Sequence, residues 1–230
     1  MAHHLTIPGA IMSERHTRSY RLGKLSEMRK RRWYRGGLHY GFTVGFALLI
    51  GGLSIMKLDQ PSIEDAWIIP AMIVYANFIE YFVHRIPLHR KIRGLGILYE
   101  RHAVQHHRYF TDRDISIITP LQMYYVLFPA PAIVIFIPLA AGPVSGLIGG
   151  IFGANAGWMA LLTSALYFAW YETFHLANHL PLTHWVHRIP GLSDLCRFHR
   201  MHHHPAYAKQ FNFNVTFPLA DWVMGTLRTK

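Results

Sequence analysis

The chain has 230 residues, of which 51% are apolar and only 15% charged, with a formal charge of +11. That is one or two domains by length, and an apolar composition for a soluble protein. The single cysteine, Cys196, excludes an internal disulfide and a cysteine-held iron–sulfur cluster.

Residues 1–13 carry no signal. From Glu14 to Arg35 there are nine Lys or Arg against two Glu, closing on Arg31-Arg32-Trp33-Tyr34-Arg35. This segment, 14–35, is expected to lie on an anionic membrane surface. The first long apolar run begins near Leu38, after polar sequence, so no cleavable secretory signal is expected. Residues 38–56 hold no Lys, Arg, Asp or Glu, and a span of about 38–57 crosses a bilayer core. Its glycines, Gly41, Gly45, Gly51 and Gly52, suit close packing in lipid. A short turn from Lys57 to Asp65 leads to a second span at 66–83, with Glu80 near its end. A third apolar run, 121–141, carries Pro129, Pro131 and Pro138. Gly142-Pro143 is expected to turn the chain into a fourth, 144–171, which is long for one span and divisible at Gly149, Gly150 or Gly153. Four spans are expected; two spans with a re-entrant hairpin is the alternative. The aromatic stretch Tyr167 to Tyr171 is read as packing or interface belt.

Ten histidines fall in four clusters: His84 and His89; His102, His106 and His107; His175 and His179; His199, His202 and His203. On a helix His102 and His106 share a face, as do His175 and His179, and His199, His202 and His203 form one patch. His107 points away from the 102/106 face and is placed to serve a second metal. Pro87 separates His84 from His89, so His84 should end one helix and His89 begin another segment. His3, His4, His16 and His39 are read as ordinary surface or core residues, and His184, His187 and His204 as surplus.

The basic residues report topology. Nine precede the first span, seven lie from Arg85 to Arg113 and six follow His179, so 22 of 23 share one face if the chain crosses four times. The positive-inside rule makes that face cytoplasmic. All four histidine clusters lie on it, in a cap formed by 84–119 and 172–230. The expected protein is all-α: one multi-pass membrane domain over 1–230, both termini and the metal site cytoplasmic. That means a bacterial inner membrane, or the endoplasmic reticulum if the source is eukaryotic. Nucleic acid is not needed to explain the charge.

Ten neutral nitrogen donors suit two borderline metals, each open to a further ligand. Imidazole alone does not choose between zinc, copper, iron and nickel. A metal cluster just above the bilayer can receive an acyl chain rising out of the lipid. Attack on an unactivated C–H bond needs an oxidant made from O2, and two irons can share the electrons. No flavin, haem or nicotinamide signature appears, so reducing equivalents are expected from a separate donor, a ferredoxin or a b-type cytochrome with its reductase.

At these residues the chain resembles the fatty acid hydroxylase superfamily, which includes sterol desaturases and sphingolipid fatty acid hydroxylases. The resemblance runs from about Glu80 to Thr226. It rests on Glu80-Tyr-Phe-Val-His84-Arg-x-Pro-Leu-His89, His102-x3-His106-His107, Tyr171-Glu172-x2-His175-x3-His179 and His199-x2-His202-His203. The ending Asn212-Phe-Asn-Val-Thr-Phe-Pro-Leu-Ala-Asp221-Trp-Val-Met-Gly225-Thr226 is similar to that family's C-terminal signature. The resemblance implies a four-span enzyme with a di-iron centre that uses O2. Its ligands would be His84, His89, His102, His106, His107, His175, His179, His199, His202 and His203. The second cluster departs from the pattern, with three intervening residues where some members have two. Glu80 and Glu172 are read either as orienting ligand imidazoles or as solvated helix-end carboxylates, and Asp221 and Asn212 are expected to hold the C-terminal segment against the site. The expected reaction is hydroxylation of a fatty acyl lipid. Desaturation, or oxidation of a sterol or isoprenoid, is the close alternative. A membrane metal transporter or metal-binding protein is the distant one, disfavoured because its ligands should lie near mid-span.

Overall fold

The computed structural model describes residues 14–230, so His3 and His4 lie outside it. Among the described residues there is no strand. Helix α1 spans Glu14–Lys30 and α2 spans Gly36–Ile55. The short α3 (Ile63–Ala66) opens on a capping box between Ser62 and Asp65. Then comes α4 (Ile68–Val83). The first cap segment holds α5 (Gly96–Tyr99), α6 (His107–Tyr109) and α7 (Met123–Val126). An apolar arm follows, α8 (Ala130–Phe136) and α9 (Gly142–Phe152), then the long α10 (Ala154–Asn178). The chain closes with α11 (Leu192–His202) and α12 (Leu219–Val223).

Among the described residues, three helical stretches are long and apolar enough to cross a membrane: Gly36–Ile55, Ile63–Leu88 and Pro120–Phe152. The sequence led us to expect four. The difference lies in α10, which packs against α2, α4 and α9 and has 14 of its 25 residues buried. A helix surrounded by protein can carry Asn155, Thr163, Ser164 and Tyr167, which lower its hydropathy. By contrast α2 turns Leu48, Leu49 and Leu53 outward, as a lipid-facing helix does.

The turn expected at Gly142-Pro143 is not there. The helical path runs from α8 through a π-helical stretch, Ile137–Ala141, directly into α9. Pro143 falls where the π-helical stretch gives way to α9, so this proline lies within the helical path rather than in a turn. The chain breaks instead at Gly153, whose φ of +100° only glycine adopts readily. Helices α9 and α10 then meet at Gly149 and Gly157. A Cβ built on Gly157 would stand 2.9 Å from both the Gly149 Cα and the Ser145 carbonyl oxygen. Gly157→Val should therefore destabilise the folded protein by about 1–3 kcal/mol through overpacking. Thermal unfolding in detergent would read this, and an unchanged midpoint would contradict the close approach.

Helix α1 has one face covered by protein. Arg21, Leu25 and Met28 are buried against the cap. The Arg21 guanidinium donates to the Asp114 carbonyl at 2.7 Å and the Ser116 carbonyl at 3.0 Å, and lies over the rings of Tyr109 and Phe110. Trp33, just beyond the helix, stays exposed.

Candidate metal centre

The ten clustered histidines arrive from the ends of four helical elements. His84 follows α4, His102 and His106 lie in a π-helical turn at Glu100–His106, and His107 opens α6. His175 lies in the last turn of α10 and His179 caps it. His199 and His202 end α11, with His203 as its cap. All are buried except His107, which is half-buried.

They sort into two groups: His84, His89, His102, His107 and His202; and His106, His175, His179 and His199. Within each, one ring nitrogen per residue lies within 4.8 Å of the others. His203 joins the second group, its Nε2 being 3.1 Å from the Nε2 atoms of both His106 and His199.

This grouping corrects the α-helical pairing of His102 with His106. The Nε2 of His102 lies 3.1 Å from that of His107, five residues on. An α-helix superposes residues four apart, whereas a π turn bonds i to i+5. The same device rescues the first pair. Pro87 does not break the chain after His84: a π-helical turn, His84–Leu88, continues α4 with Pro87 inside it. His84 and His89 consequently stack, with ring centres 5.2 Å apart. The α11 patch is also split. His199 and His203 face the second group, while the Nε2 of His202 meets that of His89 at 3.1 Å. His107, expected to stand apart from His102, groups with it, and His106 falls in the other group.

Five imidazoles have a fixed tautomer. The Nδ1 of His84 donates to the Phe213 carbonyl, that of His106 to Tyr125 at 2.7 Å and that of His179 to Ile115 at 2.8 Å. His202 donates to Phe211 at 2.9 Å and His203 to Phe110 at 2.7 Å. A carbonyl only accepts, so each Nδ1 carries the hydrogen and each neutral ring leaves Nε2 as a bare lone pair. His106 and His203 then aim two lone pairs at each other across 3.1 Å. A proton between them would create a buried imidazolium. Burial opposes this, holding both rings well below the usual histidine pKa, as it does for His89, His102, His107 and His199. His202 is lowered to about 4 by the same cause. A metal cation resolves the conflict. Two nitrogens about 2.1 Å from one ion at a right angle stand about 3 Å apart. His175 has neither ring nitrogen partnered by the protein, and the Nδ1 atoms of His107 and His199 are unpartnered too. Such orphans are rare in buried polar groups. The donor set fits two metal ions.

The expected carboxylates behave differently. Glu80 touches no imidazole. One oxygen accepts the backbone N–H groups of Val215 and Thr216, and the other the hydroxyls of Tyr167 and Thr216, each at 2.6 Å. Tyr167 is thus more than belt or packing. Asn77, which the sequence reading missed, donates to the Phe217 carbonyl at 2.8 Å and accepts from the Ala220 N–H at 2.9 Å. Its signal was an amide in an apolar span. Glu172 accepts one N–H, from Phe128 at 3.3 Å, and its second oxygen has no partner. Asp221 and Asn212 do hold the C-terminal segment: Asp221 accepts the N–H groups of Phe213 and Asn214, and Asn212 bonds Phe198 and Arg228. His184, His187 and His204 join neither group.

A cavity of ≈ 160 Å³ lies between α4, the α8–α9 arm and α10. Its walls are mostly aliphatic and aromatic, including Tyr75, Ile79, Val83, Phe136 and Phe168, and His84 stands in its lining.

A family model described as fatty acid hydroxylase matches residues 69–226. Among solved structures, the chain is similar to one described as full-length Scs7p with only the hydroxylase domain visible, at 18% identity and a TM-score of 0.55. That likeness covers 80% of this chain and 63% of the other, and at this identity it is a likeness of fold. No curated protein sequence matches the chain.

Proposed function

The chain belongs to the fatty acid hydroxylase family, and from that premise we propose that it is a membrane di-iron oxygenase that hydroxylates a fatty acyl chain. The observation that carries this reading is the apolar cavity with His84 in its wall. An acyl chain is the ligand such walls accept: long, flexible and without polar groups to satisfy. Two iron ions, when bound by the ten histidines, supply the oxidising chemistry that an unactivated C–H bond requires. The balance is one C–H, one O2, two electrons and two protons giving one C–OH and one water.

The residues do the rest. The cavity binds the chain and leads its reacting carbon toward His84. Backbone carbonyls hold five Nδ1–H groups and so keep five Nε2 atoms turned inward. The buried histidine packing excludes water from the site. Exposed Arg90, Lys91, Arg93, Arg108, Arg188, Arg197 and Lys209 give the cap a basic surface suited to an acidic electron donor. A metal transporter would be expected to carry its donors along the spans; here they gather at helix ends.

Cells expressing the chain should contain lipids heavier by one oxygen, absent from cells carrying an inactive variant. Ala140→Phe, which fills the cavity, should shift product toward shorter chains. Lipidomics reads both, and an unchanged lipid profile contradicts the proposal. With α10 taken as a fourth crossing, enclosed by α2, α4 and α9, the basic residues gather on one side and both termini should be cytoplasmic, in a bacterial inner membrane or the endoplasmic reticulum. A reporter fused after Lys230 that behaves as periplasmic or luminal would overturn that topology.

A further inference from the structure

The two histidine groups draw their backbone acceptors from different parts of the chain. For His84 and His202 the acceptors are Phe213 and Phe211, both in the C-terminal segment. For His106, His179 and His203 they are Tyr125, Ile115 and Phe110, all in the segment between α6 and α8. Each segment is held by its own charged residue.

In the C-terminal segment that residue is Asp221. The peptide group whose oxygen receives His84 offers its other end, the Asn214 N–H, to Asp221 at 2.6 Å. The adjacent Phe213 N–H reaches the other Asp221 oxygen at 3.0 Å. The peptide group that receives His202 offers the Asn212 N–H to the Thr226 carbonyl at 3.0 Å. Thr226 is in turn fixed to Asp221 twice: its hydroxyl donates to the carboxylate at 2.6 Å and its N–H to the Asp221 carbonyl at 2.8 Å. Glu80 fixes the next two peptides, at Val215 and Thr216. One residue therefore orients both peptide groups that set the tautomers of His84 and His202, the first directly and the second through Thr226.

In the second frame Arg21 grips the Asp114 and Ser116 carbonyls, on either side of the Ile115 carbonyl that receives His179. Its guanidinium also lies over the ring of Phe110, whose carbonyl receives His203.

We propose that each metal position has its own backbone frame, with Asp221 the positioning residue for the His84/His202 group and Arg21 the positioning residue for the His179/His203 group. The proposal rests on the di-metal reading above. It adds that the two positions are independently tunable from residues that touch neither metal. Asp221→Asn keeps the shape but replaces one acceptor with an amide that faces a backbone N–H. The Phe213–Asn214 peptide then loses its hold, and His84 its fixed acceptor.

The test is iron release from purified protein to a competing chelator. Wild type should hold two irons per chain; failure to do so would defeat the di-iron reading itself. Given two, Asp221→Asn should release one of them about tenfold more readily, the lower end of the cost of disturbing an outer-shell partner, and leave the other unchanged. Arg21→Gln should do the same to the opposite iron. In a His202→Ala background Asp221→Asn should add nothing, whereas Arg21→Gln should weaken the iron that remains. If Asp221→Asn does not accumulate in membranes, Glu80→Gln is read in the same way, at smaller amplitude. A general loss of fold loosens both irons together. That result, or an equal effect of Asp221→Asn with and without His202, would overturn the proposal.

Discussion

His106→Ala and His202→Ala are each expected to lower bound iron and abolish lipid hydroxylation while the protein remains in the membrane. The two residues stand in different groups, and each presents its Nε2 to another imidazole at 3.1 Å while its Nδ1 is committed to a carbonyl. Removing an outer-shell partner of a metal ligand costs about 10–100-fold. Removing the ligand itself should lie at or beyond the upper end. Neither change should unfold the membrane core, because α2, α9 and α10 pack chiefly on one another. His3→Ala should leave activity intact. Metal analysis of purified variants checks the first statement and product formation the second. An active His202→Ala variant, or one metal per wild-type chain, would contradict the two-group site.

What the sequence disclosed was chemistry more than geometry. All ten histidines could be named, because clusters at helical spacing at the ends of apolar runs have no easy packing explanation. The helical fold followed from the apolar runs themselves. The pairing was hidden, because an α-helical period was assumed where the backbone is π-helical. That shift moved His107 and His106 into each other's expected groups, and it let Pro87 sit inside a turn. Glu80 was legible as important, being a carboxylate in a span, but its partners are backbone N–H groups some 135 residues away in sequence. Such contacts leave no local pattern. Likewise nothing near Arg21 in the chain announced that it would bind the loop that holds His179. The break at Gly153 rather than Gly142 turns on one positive φ, and either glycine was eligible by composition.

The second large effect concerns electrons. Hydroxylation consumes two per turnover, and the proposed source is a separate reductase chain ending in a ferredoxin or a b-type cytochrome. Purified protein with lipid and O2 alone should therefore be inactive, and adding the donor with its reductase should restore turnover. The exposed arginines and lysines of the cap predict that an acidic donor binds less well as salt rises, since surface charges are screened over about 10 Å at 0.1 M. Donor-dependent activity that does not change with salt would remove the basic surface from the account, though not the need for electrons.

Labelled oxygen separates an O2-using hydroxylase from every alternative. Protein reconstituted with lipid, donor and reductase is supplied with ¹⁸O2 in ordinary water, and the product is examined by mass spectrometry. Each hydroxylated acyl chain should carry one labelled oxygen atom. Label taken from water instead, or metal flux without any oxidised lipid, would contradict it.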